Sequence, residues 1–109
     1  MSPIDIATFD ELRHTAGADF VVELVDTFLE EAPQMLAELR QTLAAEQADA
    51  FRRAAHSLKS NSHTFGATAL GAQARELELG GMPAGTAALD ALDAEYARAA
   101  AALKDLCHG

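Results

Sequence analysis

His56 is the side chain in this sequence with the plainest chemical use. It lies in the run Ala54-Ala55-His56-Ser57-Leu58-Lys59-Ser60. Indexed at 100° per residue, Phe51, Ala55, Leu58, Ser62 and Phe65 form one apolar stripe of a helix. Arg52, Arg53, His56, Lys59, Ser60 and His63 fall on the opposite, polar side. A neutral imidazole is a good nitrogen nucleophile near pH 7. A phosphoryl group on its outer nitrogen would meet Lys59 one turn away. The set suits an exposed histidine that carries phosphate, although basic groups on a helix surface also serve solubility alone.

The elements that must hold this face are helical. The chain has 109 residues, half of them apolar but only 6% aromatic, with no tryptophan. Alanine and leucine dominate, which favours helix over sheet, and the length allows one domain with a single modest core. The spacing predicts a leading helix over residues 4–16 carrying Ile4, Ile6, Phe9 and Leu12, ended by Gly17. Asp19 is placed to cap a second helix, in which Val21, Leu24, Val25, Phe28, Ala32, Leu36, Leu39 and Leu43 recur three and four apart. Pro33 interrupts that run and predicts a kink or two helices meeting near Glu31 and Ala32. Asp49 is a candidate cap for the His56 helix, expected to run to about Phe65 and end at Gly66. Thr68 opens the next helix, with Leu70, Ala74 and Leu77 inside, up to Gly80-Gly81. The last begins near Thr86 and carries Leu89, Leu92, Tyr96, Ala99, Leu103 and Leu106. The economical fold is all-α, an antiparallel up-and-down four-helix bundle over residues 18–106 with a short additional N-terminal helix in residues 1–17.

If the His56 helix and its successor form a hairpin about Gly66-Ala67, His56 comes level with Leu77 or Glu78, and Lys59 with Ala74 or Arg75. Glu78, at the edge of the seam, is then a candidate to accept a hydrogen bond from one ring nitrogen of His56, fixing the tautomer and leaving the other nitrogen outward. The same carboxylate favours the imidazolium, which cannot attack. Pairing of Glu78 with Lys59, or with water alone, is an equal alternative.

Charge and motif content exclude other classes. A net charge of −9 disfavours nucleic acid and anionic lipid as general partners. No stretch approaches the roughly twenty apolar residues of a membrane span. The single cysteine, Cys107, allows no intrachain disulfide, and a cytoplasmic location is expected. The short leader and the stop soon after the last helix suggest a free-standing protein. His14, His56, His63 and His108 do not read as a metal site: His56 and His63 stand about 10 Å apart along one helix. Ser57 and Ser60 lack the base and orienting group of a hydrolase. There is no glycine-rich phosphate loop, so no bound nucleotide is expected.

His56-Ser57-Leu58-Lys59-Ser60, followed by Thr64-Phe65-Gly66-Ala67, resembles the signature of the histidine-containing phosphotransfer (HPt) domains of bacterial phosphorelays. Phe28-Leu29-Glu30-Glu31-Ala32-Pro33 resembles the segment preceding their central helices, and the likeness spans roughly residues 18–106. The resemblance implies that His56 is the phosphoacceptor, Lys59 the basic residue near the phosphoryl group, and Gly66 the glycine that keeps the approach open. Glu78 matches the position whose polar side chain supports the histidine, often glutamine in stand-alone members and glutamate in chemotaxis-kinase versions. Ser60 departs from the usual glycine but is still small, which implies adjusted partner fit. Arg52, Arg53, Ser60, His63 and Gly66 are the candidate binding residues. The implied function is relay of phosphate between His56 and the aspartate of response-regulator receiver domains, by a monomeric carrier that is not an enzyme. Mg²⁺ would come from the receiver, and the phosphate from a hybrid sensor histidine kinase. Phe9, Leu12 and Phe20 are candidates for a docking surface, though the more ordinary place for each is the core. A helical docking module that sequesters a receiver or regulates a kinase without chemistry is the alternative.

Overall fold

The computed structural model describes residues 2–108, which form five helices: α1 (Ile6–Ala16), α2 (Ala18–Ala44), α3 (Ala48–Thr64), α4 (Thr68–Gly80) and α5 (Ala87–His108). α2 to α5 form a ring in which the backbone of each packs on its two neighbours and not on the helix diagonally across, while α1 rests on α2 and α3. His108 meets Asp26 and Arg40 meets Asp90 and Asp93, so α5 runs antiparallel to α2. The result is the up-and-down bundle with an extra N-terminal helix that the periodicity predicts. Among the described residues no helix is long and apolar enough to cross a membrane.

The apolar stripes close on one another. Val21, Val25, Phe28, Ala32 and Leu39 of α2 meet Phe51, Ala55 and Leu58 of α3, Leu70, Ala74 and Leu77 of α4, and Leu89, Leu92, Ala99 and Leu103 of α5, all buried. Phe28 stacks obliquely on Phe65 with ring centres 5.2 Å apart, and meets Tyr96 edge-on at 6.2 Å. Ser62, fully buried in this core, donates its hydroxyl to the Leu58 carbonyl at 2.6 Å and so brings no unmet polar group inside.

Several local expectations are corrected. Asp19 and Asp49 do not cap: the N-cap residues are Gly17 and Gln47, and neither helix start has a side-chain cap. Both aspartates lie in the first turn, where a negative charge complements the exposed amide end of a helix. Of the two outcomes expected at Pro33, separate helices are excluded, because α2 is continuous from Ala18 to Ala44. The missing Pro33 N–H leaves the Leu29 carbonyl without its intrahelical donor, and the Tyr96 hydroxyl of α5 donates to that oxygen at 3.4 Å. In the leader, Ile4 and Phe9 are buried, but Ile6 is exposed rather than part of the core.

The leader is fastened to the α3–α4 turn. Gly66 adopts φ +82°, a left-handed conformation that glycine alone takes at no steric cost, and its carbonyl accepts a 2.7 Å hydrogen bond from the Asp5 N–H.

Candidate functional site

α3 buries Phe51, Ala54, Ala55, Leu58 and Ser62, so the intervening polar residues must face outward. His56, Arg52, Arg53, Ser57 and Ser60 are exposed, with 57% of the His56 side chain open to solvent. Across the α3–α4 seam His56 Nδ1 lies 2.5 Å from Glu78 Oε2. Lys59 Nζ lies 2.6 Å from the other oxygen, Oε1, an ion pair by distance rather than an aligned hydrogen bond. The two sequence alternatives for Glu78 are therefore both realised, one on each oxygen. Its carboxylate is the least exposed member of the group, at 12%, against 23% for Lys59.

The electrostatics follow from that arrangement. Lys59, then His56, hold the Glu78 carboxyl below its ordinary value, against the opposing effect of burial. Glu78 is thus an anion at neutral pH and can only accept, so in neutral His56 the proton belongs on Nδ1 and the lone pair on Nε2. Among the described residues Nε2 has no hydrogen-bond partner, and more than half of the side chain is open to solvent. A lone carboxylate beside imidazole would also bias it toward the unreactive imidazolium. Here the carboxylate is not alone, since the Lys59 ammonium lies on its other oxygen.

The remaining predicted residues divide by position. Arg52 and Arg53 stand one turn before His56 on the same exposed face, Arg52 within 3.9 Å of the highly exposed Asp49, a contact of little energetic weight. Arg53 flanks the α2–α3 side, in a groove lined by Met35, Glu38, Ala54 and Ser57. Ser60 is exposed and leaves the approach to His56 uncrowded on its C-terminal side. His63 is exposed two turns beyond His56, and its ring lies against Gly71 of α4, where an added Cβ would come 2.6 Å from the ring atoms Cε1 and Nε2. Gly66 does not join the group. It is buried at the end of α3, ten residues and about 15 Å of helix beyond His56, against the main chain of Asp5. Among the docking candidates, Phe9 is fully buried, Leu12 half-buried, and Phe20 exposed at 52%. Leu79, beside Glu78 and 65% exposed, is a larger apolar surface next to the site than any of these three.

Two further residues bear on the site, of which the sequence pattern assigns Gly71 no role and Arg75 only a register position. Gly71 permits the close approach of His63, and the signal for it was a glycine inside an otherwise good helix, where alanine is preferred by roughly 1 kcal/mol. Arg75 lies on the stripe of α4 that also carries Gly71 and Glu78, and the hairpin register alone brings it level with Lys59. Among the described residues no three His, Cys, Asp or Glu side chains come together as metal ligands would.

The family model of the Hpt domain matches residues 23–108, which takes in α3, α4 and the whole His56–Lys59–Glu78 group. The chain belongs to the Hpt domain family, the phosphocarrier domains of two-component signalling. No curated protein and no solved structure gives a significant match to it.

Proposed function

We propose that this protein is a phosphorelay carrier in which His56 takes a phosphoryl group from the aspartyl phosphate of one receiver domain and gives it to the aspartate of another. The observation that carries the reading is the exposed ring of His56 with Nδ1 held by an ionised Glu78. In the forward step the Nε2 lone pair attacks phosphorus in line with the aspartyl oxygen. The N–P bond forms as the P–O bond breaks, and the aspartate leaves as a carboxylate with the bonding pair. The ring then bears positive charge with its proton still on Nδ1, where Glu78 meets it directly. Lys59, one turn along α3, lies beside the charge of the transferred group. Mg²⁺ bound by the receiver supplies the remaining neutralisation of the phosphoryl oxygens. The reverse step retraces this path, so the direction of flow is set by which receiver is phosphorylated. A sensor histidine kinase is the upstream source of phosphate in this scheme, because the chain has no nucleotide-binding loop of its own.

The test is transfer from a panel of phosphorylated receivers in the presence of Mg²⁺. The expected result is acid-labile, alkali-stable label on the wild type and none on His56→Gln. Failure of the wild type to acquire label from every cognate receiver, with binding retained, would establish a docking module in place of a carrier.

A further inference from the structure

Lys59 is the only cation of α3 engaged with Glu78, and that engagement occupies it. A phosphoryl group arriving on His56 brings two more negative charges to a spot where the nearest ammonium is already neutralised by a carboxylate. The question is which other cation stands close enough and free to answer them.

Two contacts fix the register of α3 against α4: His56 on Glu78, and His63 on Gly71. Gly71, Arg75 and Glu78 are spaced four and three apart and form one stripe, as do His56, Lys59 and His63 on the facing helix. The same register therefore brings Arg75 level with Lys59, on the same edge of the seam as the imidazole and one helical turn from Glu78. Arg75 is exposed, and among the described residues it takes part in no ion pair, whereas Arg13, Arg40, Arg52, Lys59 and Arg98 each have a carboxylate within 4 Å. Arg53, also without such a partner, is on the opposite, α2-facing flank. A guanidinium in this place has a planar pair of donors suited to two phosphate oxygens and a stem long enough to span one turn.

We infer that Arg75 is a second cationic arm of the site, which takes oxygens of the phosphoryl group once His56 Nε2 carries it, while Lys59 stays tied to Glu78. This rests on the phosphocarrier reading above. In the unphosphorylated protein the arm has no ion-pair partner among the described residues, and in the phosphorylated protein it stabilises the phosphoryl dianion. Arg75 thereby shifts the sharing of phosphate between this chain and its receiver toward the histidine.

The experiment is ³¹P NMR of the phosphorylated, receiver-free protein, charged with a small-molecule phosphoramidate donor, followed by the equilibrium of label between carrier and receiver. Wild type, Arg75→Ala, Arg75→Lys and Lys104→Ala are compared, the last removing an exposed cation from α5, whose backbone does not pack on that of α3. The expected result for Arg75→Ala is a phosphoryl titration moved up by roughly half a pH unit and a three- to fivefold loss of label to the receiver. Arg75→Lys is expected to restore most of both, and Lys104→Ala to match the wild type. A phosphoryl titration in Arg75→Ala that superimposes on the wild type overturns the inference, and if receiver affinity alone falls, Arg75 contacts the receiver and not the phosphoryl group. Absence of phosphohistidine in the wild type defeats the carrier reading first, and this inference with it.

Discussion

Replacing Gly66 by alanine separates a glycine that shapes the fold from one that opens the site to a partner. At φ +82° an L side chain costs about 1–2 kcal/mol. Its Cβ would also lie 2.7 Å from the Asp5 carbonyl oxygen and 3.2 Å from Thr8 Cβ, and the first of these is main chain that has no rotamer to change. Moving it weakens the hydrogen bond from Asp5 N–H to Gly66 O, worth about 1 kcal/mol. The expected loss is about 2–3 kcal/mol, or on the order of 10–20 °C in Tm for a domain of this size. Gly71→Ala is the contrasting case. Its Cβ would come 2.6 Å from His63, but that ring is the end of an exposed side chain able to swing away, and alanine is the better helix former by roughly 1 kcal/mol. Gly71→Ala is therefore expected to range from neutral to about 1 kcal/mol stabilising. Urea unfolding of both variants, with the rate of His56 labelling measured on the folded fraction, decides the matter. Stability of Gly66→Ala within about 0.5 kcal/mol of wild type, together with slowed labelling, would refute this account and return Gly66 to the docking surface.

Two further outcomes follow from named contacts. Tyr96→Phe removes the hydroxyl that serves the Leu29 carbonyl and is expected to cost about 0.5–1 kcal/mol in urea unfolding. In a Pro33→Ala background, where the helix regains its own donor, the same change should cost little, and equal losses in both backgrounds would contradict the pairing. For Glu78, whose folded-state carboxyl is depressed by Lys59 and then His56, the stabilising contribution is complete above the unfolded carboxyl range near pH 4.5 and is lost as pH falls through the depressed folded value. The urea midpoint of the wild type should accordingly fall more steeply than that of Glu78→Gln below about pH 4.5, and parallel acid profiles would show that the pairing adds nothing to the folded state.

The helices were legible because their stripes are long and regular: five of the eight apolar positions forecast for α2 are fully buried, and the other three pack against the core. Their ends were less so. Asp19 and Asp49 have the composition of caps, but each helix begins two residues earlier than a cap there would require, and a short polar side chain acts on a helix start by its charge as well as by capping. The Leu29 carbonyl that Pro33 leaves without a donor is met by a hydroxyl from α5, sixty-three positions beyond the proline, which local pattern does not reveal. At the site, the pairing of His56 with Glu78 followed from counting outward from the turn. The simultaneous hold on Lys59 did not, since it depends on a rotamer of a long flexible stem. Gly66 illustrates the opposite limit: its place in a family motif suggested a role at the approach to the histidine, while its dihedral and its neighbours give it to the turn.

The unbroken α2 sets the mechanical character of the molecule. Its 27 residues span about 40 Å, nearly the whole 41 Å long dimension of the bundle, so one continuous helix runs from the leader to the far turn through the proline. A partner arriving at α3 meets a surface backed by one unbroken helix. For the carrier role proposed above, such a backing suits brief encounters with successive receivers, each of which would find the imidazole already held through Nδ1.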